Sequence, residues 1–131
     1  MENNKTLRMP TNVRQGAIYY VNFPVSIGSV QAGMRPVIIT SSDIRNRTAP
    51  TVIVLIITSQ IKKLYLKEHV VLPKLKWLPK VSMAEAEQRA TVDKSQLIEY
   101  CGRVSYEEFK NVHRALRFIE GTNKAEYERV Y

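Results

Sequence analysis

A chain of 131 residues holds one domain with a modest core and has no room for a second. Its 44% apolar and 24% charged residues are those of an ordinary globular protein, and the longest apolar run, Val52 to Ile57, is far too short to cross a bilayer. A net charge of +8 and a pI near 9.7 favour a polyanionic partner. The charge is uneven: residues 1–84 carry twelve basic against three acidic side chains, residues 85–131 eight against nine. Cys101 is the only cysteine, which excludes an intrachain disulfide and suits a small buried core residue. The opening Met1-Glu2-Asn3-Asn4-Lys5-Thr6 has no apolar segment of the signal-peptide kind, so a cytoplasmic location is expected.

In chain order, residues 1–14 are polar and irregular and read as a flexible arm. Ala17 to Phe23 is β-branched and aromatic and reads as a strand ended by Pro24, with Tyr19, Val21 and Phe23 on one face. A loop over 24–35 follows, punctuated by Gly28 and Gly33, which permit backbone paths closed to other residues. Pro36 pushes Arg35 towards an extended conformation, so Arg35 is expected at a loop-to-strand junction ahead of a strand at 36–41. Such an arginine suits a phosphate, which it grips with both arms of its guanidinium; the alternative is an ordinary surface ion pair. Ser42 to Pro50 is rich in turn formers. Thr51 to Thr58 is the clearest strand, its unbroken apolar run suggesting burial on both faces.

Residues 61–80 are basic, with Lys62, Lys63, Lys67, Lys74, Lys76 and Lys80 against Glu68 alone, and with Tyr65 and Trp77 interleaved. Lysines neutralise phosphates while rings stack on bases, so Lys62 and Lys63 are candidates for binding single-stranded nucleic acid. Trp77 fits either base stacking or the core. Short strands are expected near 68–72 and 81–89, although Met83 to Ala86 is also compatible with a helix. Thr91 to Gln96 reads as one short helical turn and 97–103 as a last strand. Ser105 and Glu108 fit a capping box opening a helix whose apolar face is Phe109, Val112, Leu116 and Ile119, with Gly121 as its stop. The tail 122–131 is compatible with a helical turn through Lys124 and Glu128 or with disorder. The pattern is that of a mainly β (α+β) domain: a small, strongly bent β-barrel with a C-terminal amphipathic helix. His69 and His113 lie far apart, without cysteine or clustered carboxylates in sequence, so no metal site is expected, and His113, mid-helix beside the apolar face, reads as structural.

Five segments, taken in order, resemble the MazF/PemK toxins, the endoribonuclease half of type II toxin–antitoxin pairs. Gln15-Gly16-Ala17-Ile18-Tyr19 is similar to the family's RGDIY, and Gly28-Ser29-Val30-Gln31-Ala32-Gly33-Met34-Arg35-Pro36 to GSEQxGxRP. Asp43 to Thr51 is similar to NDIGNRxSPT, Ile56 to Lys63 to PITSQIKK, and Glu87 to Lys94 to EQIRTIDK. The resemblance covers roughly residues 14–120 and places the toxin domain at 15–121. It implies an SH3-like barrel, a homodimer with an RNA groove across its interface, and an acidic antitoxin that folds over that groove. It implies cleavage of single-stranded RNA without metal or cofactor, leaving a 2′,3′-cyclic phosphate and a 5′-OH. Arg35 and Thr58 match the family's catalytic arginine and threonine, and Gln31, Ser59 and Gln60 become candidates for binding RNA beside Lys62, Lys63 and Trp77. Asn46 and Arg47 are read as shaping a loop and the dimer edge. Three positions depart from the pattern: Val30 replaces the glutamate of GSEQ, Ala17 the aspartate of RGD, and Ala90 the arginine of EQIRTIDK, with Arg89 one place earlier. Neighbours on a strand point to opposite faces, so Arg89 does not stand in for position 90. Two classes stay open, an attenuated ribonuclease and a degenerate relative that binds RNA or antitoxin without turnover.

Overall fold

The structure, a computed structural model, describes residues 12–24, 32–76, 78 and 80–130. Gly28, Val30, Gln31 and Trp77, and most of the expected N-terminal arm, lie outside the described residues. The elements are β1 (Ala17–Phe23), β2 (Gly33–Ile39), α1 (Asp43–Thr48), β3 (Thr51–Thr58), β4 (His69–Leu72), β5 (Ser82–Asp93), β6 (Leu97–Arg103), α2 (Tyr106–Glu120) and α3 (Lys124–Tyr127). The strands form one antiparallel sheet in the order β4-β5-β3-β2-β1-β6. The expected barrel is not closed: β4 and β6 end the sheet without pairing each other. The domain is mainly β with α+β character.

Both faces of the sheet are covered because its central strands carry unbroken apolar runs, Val37–Ile39 in β2 and Val52–Ile57 in β3. Odd positions of β1 and β2 and even positions of β3 build one core from Val21, Val37, Ile39, Val54 and Ile56. The alternate positions, Ile18, Ile38, Leu55 and Ile57, build the other core with Phe109, Val112 and Ala115 of α2. Burying one such aliphatic side chain is worth about 1.5–3 kcal/mol, so the two-faced pattern is what holds this small sheet together. The helix begins where its capping box requires: the Ser105 hydroxyl accepts from the Glu108 N–H at 3.1 Å, and the Ser105 N–H donates to the Glu108 carboxylate at 2.9 Å. Its buried face runs through Phe109, Val112 and Ala115 and reaches Leu116, whereas Ile119 is 40% exposed. The last turn is met by charged side chains instead of core residues, Lys67 over the Phe118 ring and Arg89 paired to Glu120.

Local chemistry moved several boundaries. β2 begins at Gly33, and Arg35 sits inside the strand opposite Val21 instead of at its entrance. The turn expected at 42–50 is the short helix α1, because the Ser42 hydroxyl caps the Arg45 N–H and Asn46 is buried against Ser41. Asp43 then ties this helix to Gln15 and Arg14, and Val13 packs into the core. The Met83–Ala86 segment is strand, within a β5 that runs on to Asp93 and leaves only Lys94–Gln96 as a 3-10 turn. The tail takes its helical alternative as α3, with Lys124 paired to Glu128.

Candidate active site and nucleic-acid interface

β2 and β3 pair from Ile39 opposite Val54 to Val37 opposite Ile56, and Arg35 and Thr58 each lie two residues beyond that last pair on their own strands. Arg35 shares its face with Val37 and Ile39, and Thr58 shares its face with Val54 and Ile56. Both side chains therefore sit at the end of the same core, where apolar residues give way to polar ones. Both are half-buried. The Thr58 hydroxyl accepts from the Gln60 N–H at 3.1 Å, which orients it and leaves its own proton available to an incoming oxygen. Ser59, Gln60, Lys62 and Lys63 follow on the exposed segment after β3. Lys63 holds a positive φ of 52°, and its carbonyl accepts from Leu66, so the chain turns there and feeds into β4.

The same face continues across the next two strands. Thr58 pairs with Met83 of β5, two residues further on is Glu85, and Glu85 pairs with His69 of β4. The pairing of β3 with β5 is irregular beyond this point: two steps from Leu55 to Ile57 are matched by five from Arg89 to Ala84. This bulge separates Glu85 and Glu87 from the regular ladder, a device that often re-aims side chains beside a site. His69 Nε2 lies 2.9 Å from Glu87 Oε2, and His69 Nδ1 lies 3.2 Å from the Lys62 carbonyl. The imidazole is almost fully buried while the Glu87 side chain is 38% exposed.

Burial and the neighbouring Glu87 push the Glu85 carboxyl above its ordinary range, against the pull of His69, Lys62 and Arg35. Arg35 is thus electrostatically linked to a carboxylate on the same face. Burial alone would lower His69, but its bonds to Glu87 and the Lys62 carbonyl raise it overall. The structure therefore corrects the expectation of isolated histidines without carboxylates: His69, Glu85 and Glu87 offer ligand atoms that all lie within 4.8 Å of one another. Glu85 and Glu87 stand two apart on a strand, which was the one sequence signal for a shared face.

Other expected residues fall elsewhere. Arg89 turns to the opposite face and pairs with Glu120 of α2, while Ala90 packs against the first core. His113 is exposed and stacks against Phe109. Asn46 is buried and shapes the α1 segment, and Arg47 is exposed. Cys101 is fully buried, and burial together with Glu99 pushes its thiol up to about 11. Along α2, a groove of about 1460 Å³ is lined by Lys67, Lys110, Arg114 and Arg117, adding a second cationic surface.

A family model described as a PemK-like, MazF-like toxin of type II toxin–antitoxin systems matches residues 14–119. Endoribonuclease MazF of Staphylococcus saprophyticus is 38% identical over 105 residues, which are 79% of this chain and 88% of that protein. A MazF structure from Deinococcus radiodurans superposes with a TM-score of 0.70 at 22% identity, covering 84% of this chain and 97% of that one. A mycobacterial endoribonuclease in complex with its cognate antitoxin superposes with a TM-score of 0.68 at 22% identity, covering 85% and 97%. With 106 consecutive positions matched by the family model, the chain belongs to the PemK-like, MazF-like toxins of type II toxin–antitoxin systems.

Proposed function

We propose that this chain is the ribonuclease toxin of such a pair, cutting single-stranded RNA at internal sites without a metal ion and leaving a 2′,3′-cyclic phosphate and a 5′-OH. The observation that supports the reading is the β2–β3 pairing, because Arg35 and Thr58 both follow its last pair, Val37–Ile56, by two residues and so belong to the same face as that pair. RNA brings its own nucleophile. The 2′-oxygen attacks the adjacent phosphorus, a new P–O2′ bond forms, and the P–O5′ bond breaks. Arg35 neutralises charge developing on the non-bridging oxygens, and the Thr58 hydroxyl donates to one of them. Arginine is a poor base, so the proton lost from the 2′-OH passes to the His69–Glu85–Glu87 cluster on the same face. A proton returned to the departing 5′-oxygen completes the balance. Lys62, Lys63, Ser59 and Gln60 hold the strand beside this centre, with Gln31 and Trp77 as further RNA contacts.

The partners follow from the same reading: an acidic antitoxin competing with RNA for Lys62, Lys63 and Arg35, and a second copy of the chain completing the groove. No helix among the described residues is long and apolar enough to cross a membrane, and a cytoplasmic site of action belongs to this proposal. The second reading, a binding module without turnover, is favoured by Val30 standing where the family pattern has glutamate. The deciding experiment is cleavage of a long single-stranded RNA in EDTA with mapping of 5′-OH ends, beside Arg35→Ala. Discrete cuts lost in the variant support the ribonuclease. RNA retained without cuts, with a log–log salt slope near about −0.7 per phosphate contact, supports the binding module.

A further inference from the structure

We infer that His69, Glu85 and Glu87 form a site for one divalent cation of the zinc class, and that filling it shuts off the neighbouring Arg35–Thr58 chemistry. The binding stands on geometry alone, whereas the shut-off rests on the ribonuclease reading above. One imidazole nitrogen and two carboxylate oxygens lie within 4.8 Å of one another. Zinc bonds of about 2.0–2.2 Å in a tetrahedron set ligands about 3.3 Å apart, so small rotations of the two glutamate side chains close the site. His69 is already set as a ligand. Its Nδ1 faces the Lys62 carbonyl at 3.2 Å, which favours a ring proton there, while the Nε2 proton shared with Glu87 is the one a cation displaces, leaving Nε2 as the ligand atom beside the carboxylates.

The donors are also held by rigid elements, since His69 and Glu85 are directly paired residues of β4 and β5. The buried ring gives a fixed ligand, and the exposed Glu87 gives an entry path. One nitrogen and two oxygens with a fourth position open suit zinc better than magnesium, which keeps most of its waters and an octahedral shell. The two carboxylates offset the ion's charge, so Arg35 and Lys62 face a neutral centre. With its carboxylates and imidazole tied to the ion, the cluster no longer accepts the 2′-OH proton.

The test uses tag-free, chelator-treated protein titrated with Co²⁺ as a visible reporter and then with Zn²⁺. One equivalent of Co²⁺ giving an intense tetrahedral absorption that Zn²⁺ removes is expected. Glu87→Gln, a surface change that spares the fold, and His69→Gln should each weaken uptake at least about tenfold. No saturable uptake below millimolar metal, or native-like uptake in Glu87→Gln, would overturn the site. In a separate arm, one equivalent of Zn²⁺ should lower RNA cleavage at least about tenfold, with EDTA restoring it. Cleavage unchanged at full occupancy overturns the shut-off. A native protein that never cuts RNA removes the ribonuclease reading and with it the shut-off, while the cobalt titration still decides the metal site.

Discussion

The Gln60 backbone N–H donates to the Thr58 hydroxyl at 3.1 Å, so the end of β3 orients a side chain with the chain's own next turn. The hydroxyl is an acceptor in that contact, and its own proton is left to donate. Thr58→Val keeps the β-branched shape and removes the donor, and it should lower single-turnover RNA cleavage by roughly 10²–10³. Thr58→Ser keeps the donor and should stay within about tenfold of the native rate. Equal losses in the two variants would assign Thr58 to strand shape instead of chemistry.

Arg35 occupies a strand position opposite Val21 rather than a flexible junction, so its guanidinium is delivered from a fixed backbone. Arg35→Ala should cost roughly 10²–10³ in cleavage, and Arg35→Lys should recover only part of it, because an ammonium lacks the planar fork. Filter binding across a salt series should show the slope of the alanine variant reduced by about 0.7. A native rate in Arg35→Lys would mean that point charge alone suffices.

Asp43 joins α1 to the start of β1. Its burial alone would raise the carboxyl, but bonds from the Gln15 N–H, Arg14 and Asn46 hold it below the ordinary carboxylate range. A depressed native carboxyl stabilises the fold above the unfolded-state pKa, and that contribution is lost as pH falls through the lower native value. Urea melts should therefore show native protein losing stability relative to Asp43→Asn between about pH 5 and pH 2. At pH 7 the variant should be less stable by about 1.5–3 kcal/mol, the range for hydrogen bonds to a charged group. Parallel curves for the two proteins across that range would refute the assignment.

Gly102 of β6 has a φ of 131° and pairs with Ile18, and a Cβ built there would sit 3.1 Å from Leu75 Cδ1. Gly102→Ala meets both a backbone conformation hostile to side chains and a crowded neighbour. A loss of about 1–3 kcal/mol is expected in thermal or urea unfolding, with RNA cleavage at low temperature unchanged. An unaltered midpoint would show that Leu75 and the strand relax freely.

The Cys101 thiol is fully buried and pushed up to about 11, so thiolate is scarce and access is closed. At pH 8 an aromatic disulfide reagent should leave the folded protein unmodified over minutes and consume one thiol per chain once it is unfolded. Fast reaction without denaturant would place Cys101 at an opening of the fold.

Local patterns determined much of this protein. The alternation in Ala17–Phe23, the apolar run of Thr51–Thr58 and the Ser105–Glu108 box each specify their element through neighbours two to four residues away, and each element forms there. Resemblance alone marks Arg35 and Thr58 as a candidate pair, and the net charge of +8 favours a polyanion without naming it. Tertiary structure decided the rest, because register and capping partners are not local quantities. Whether the sheet closes depends on the unpaired edges of β4 and β6, and α1 depends on Ser42 and buried Asn46 within a segment that composition renders as a turn. His69 and Glu87 stand eighteen residues apart, and only the β4–β5 pairing and the bulge beside Ile57 bring imidazole and carboxylate within 2.9 Å. A sequence states which side chains are present, and pairing between distant strands decides which of them share a charge.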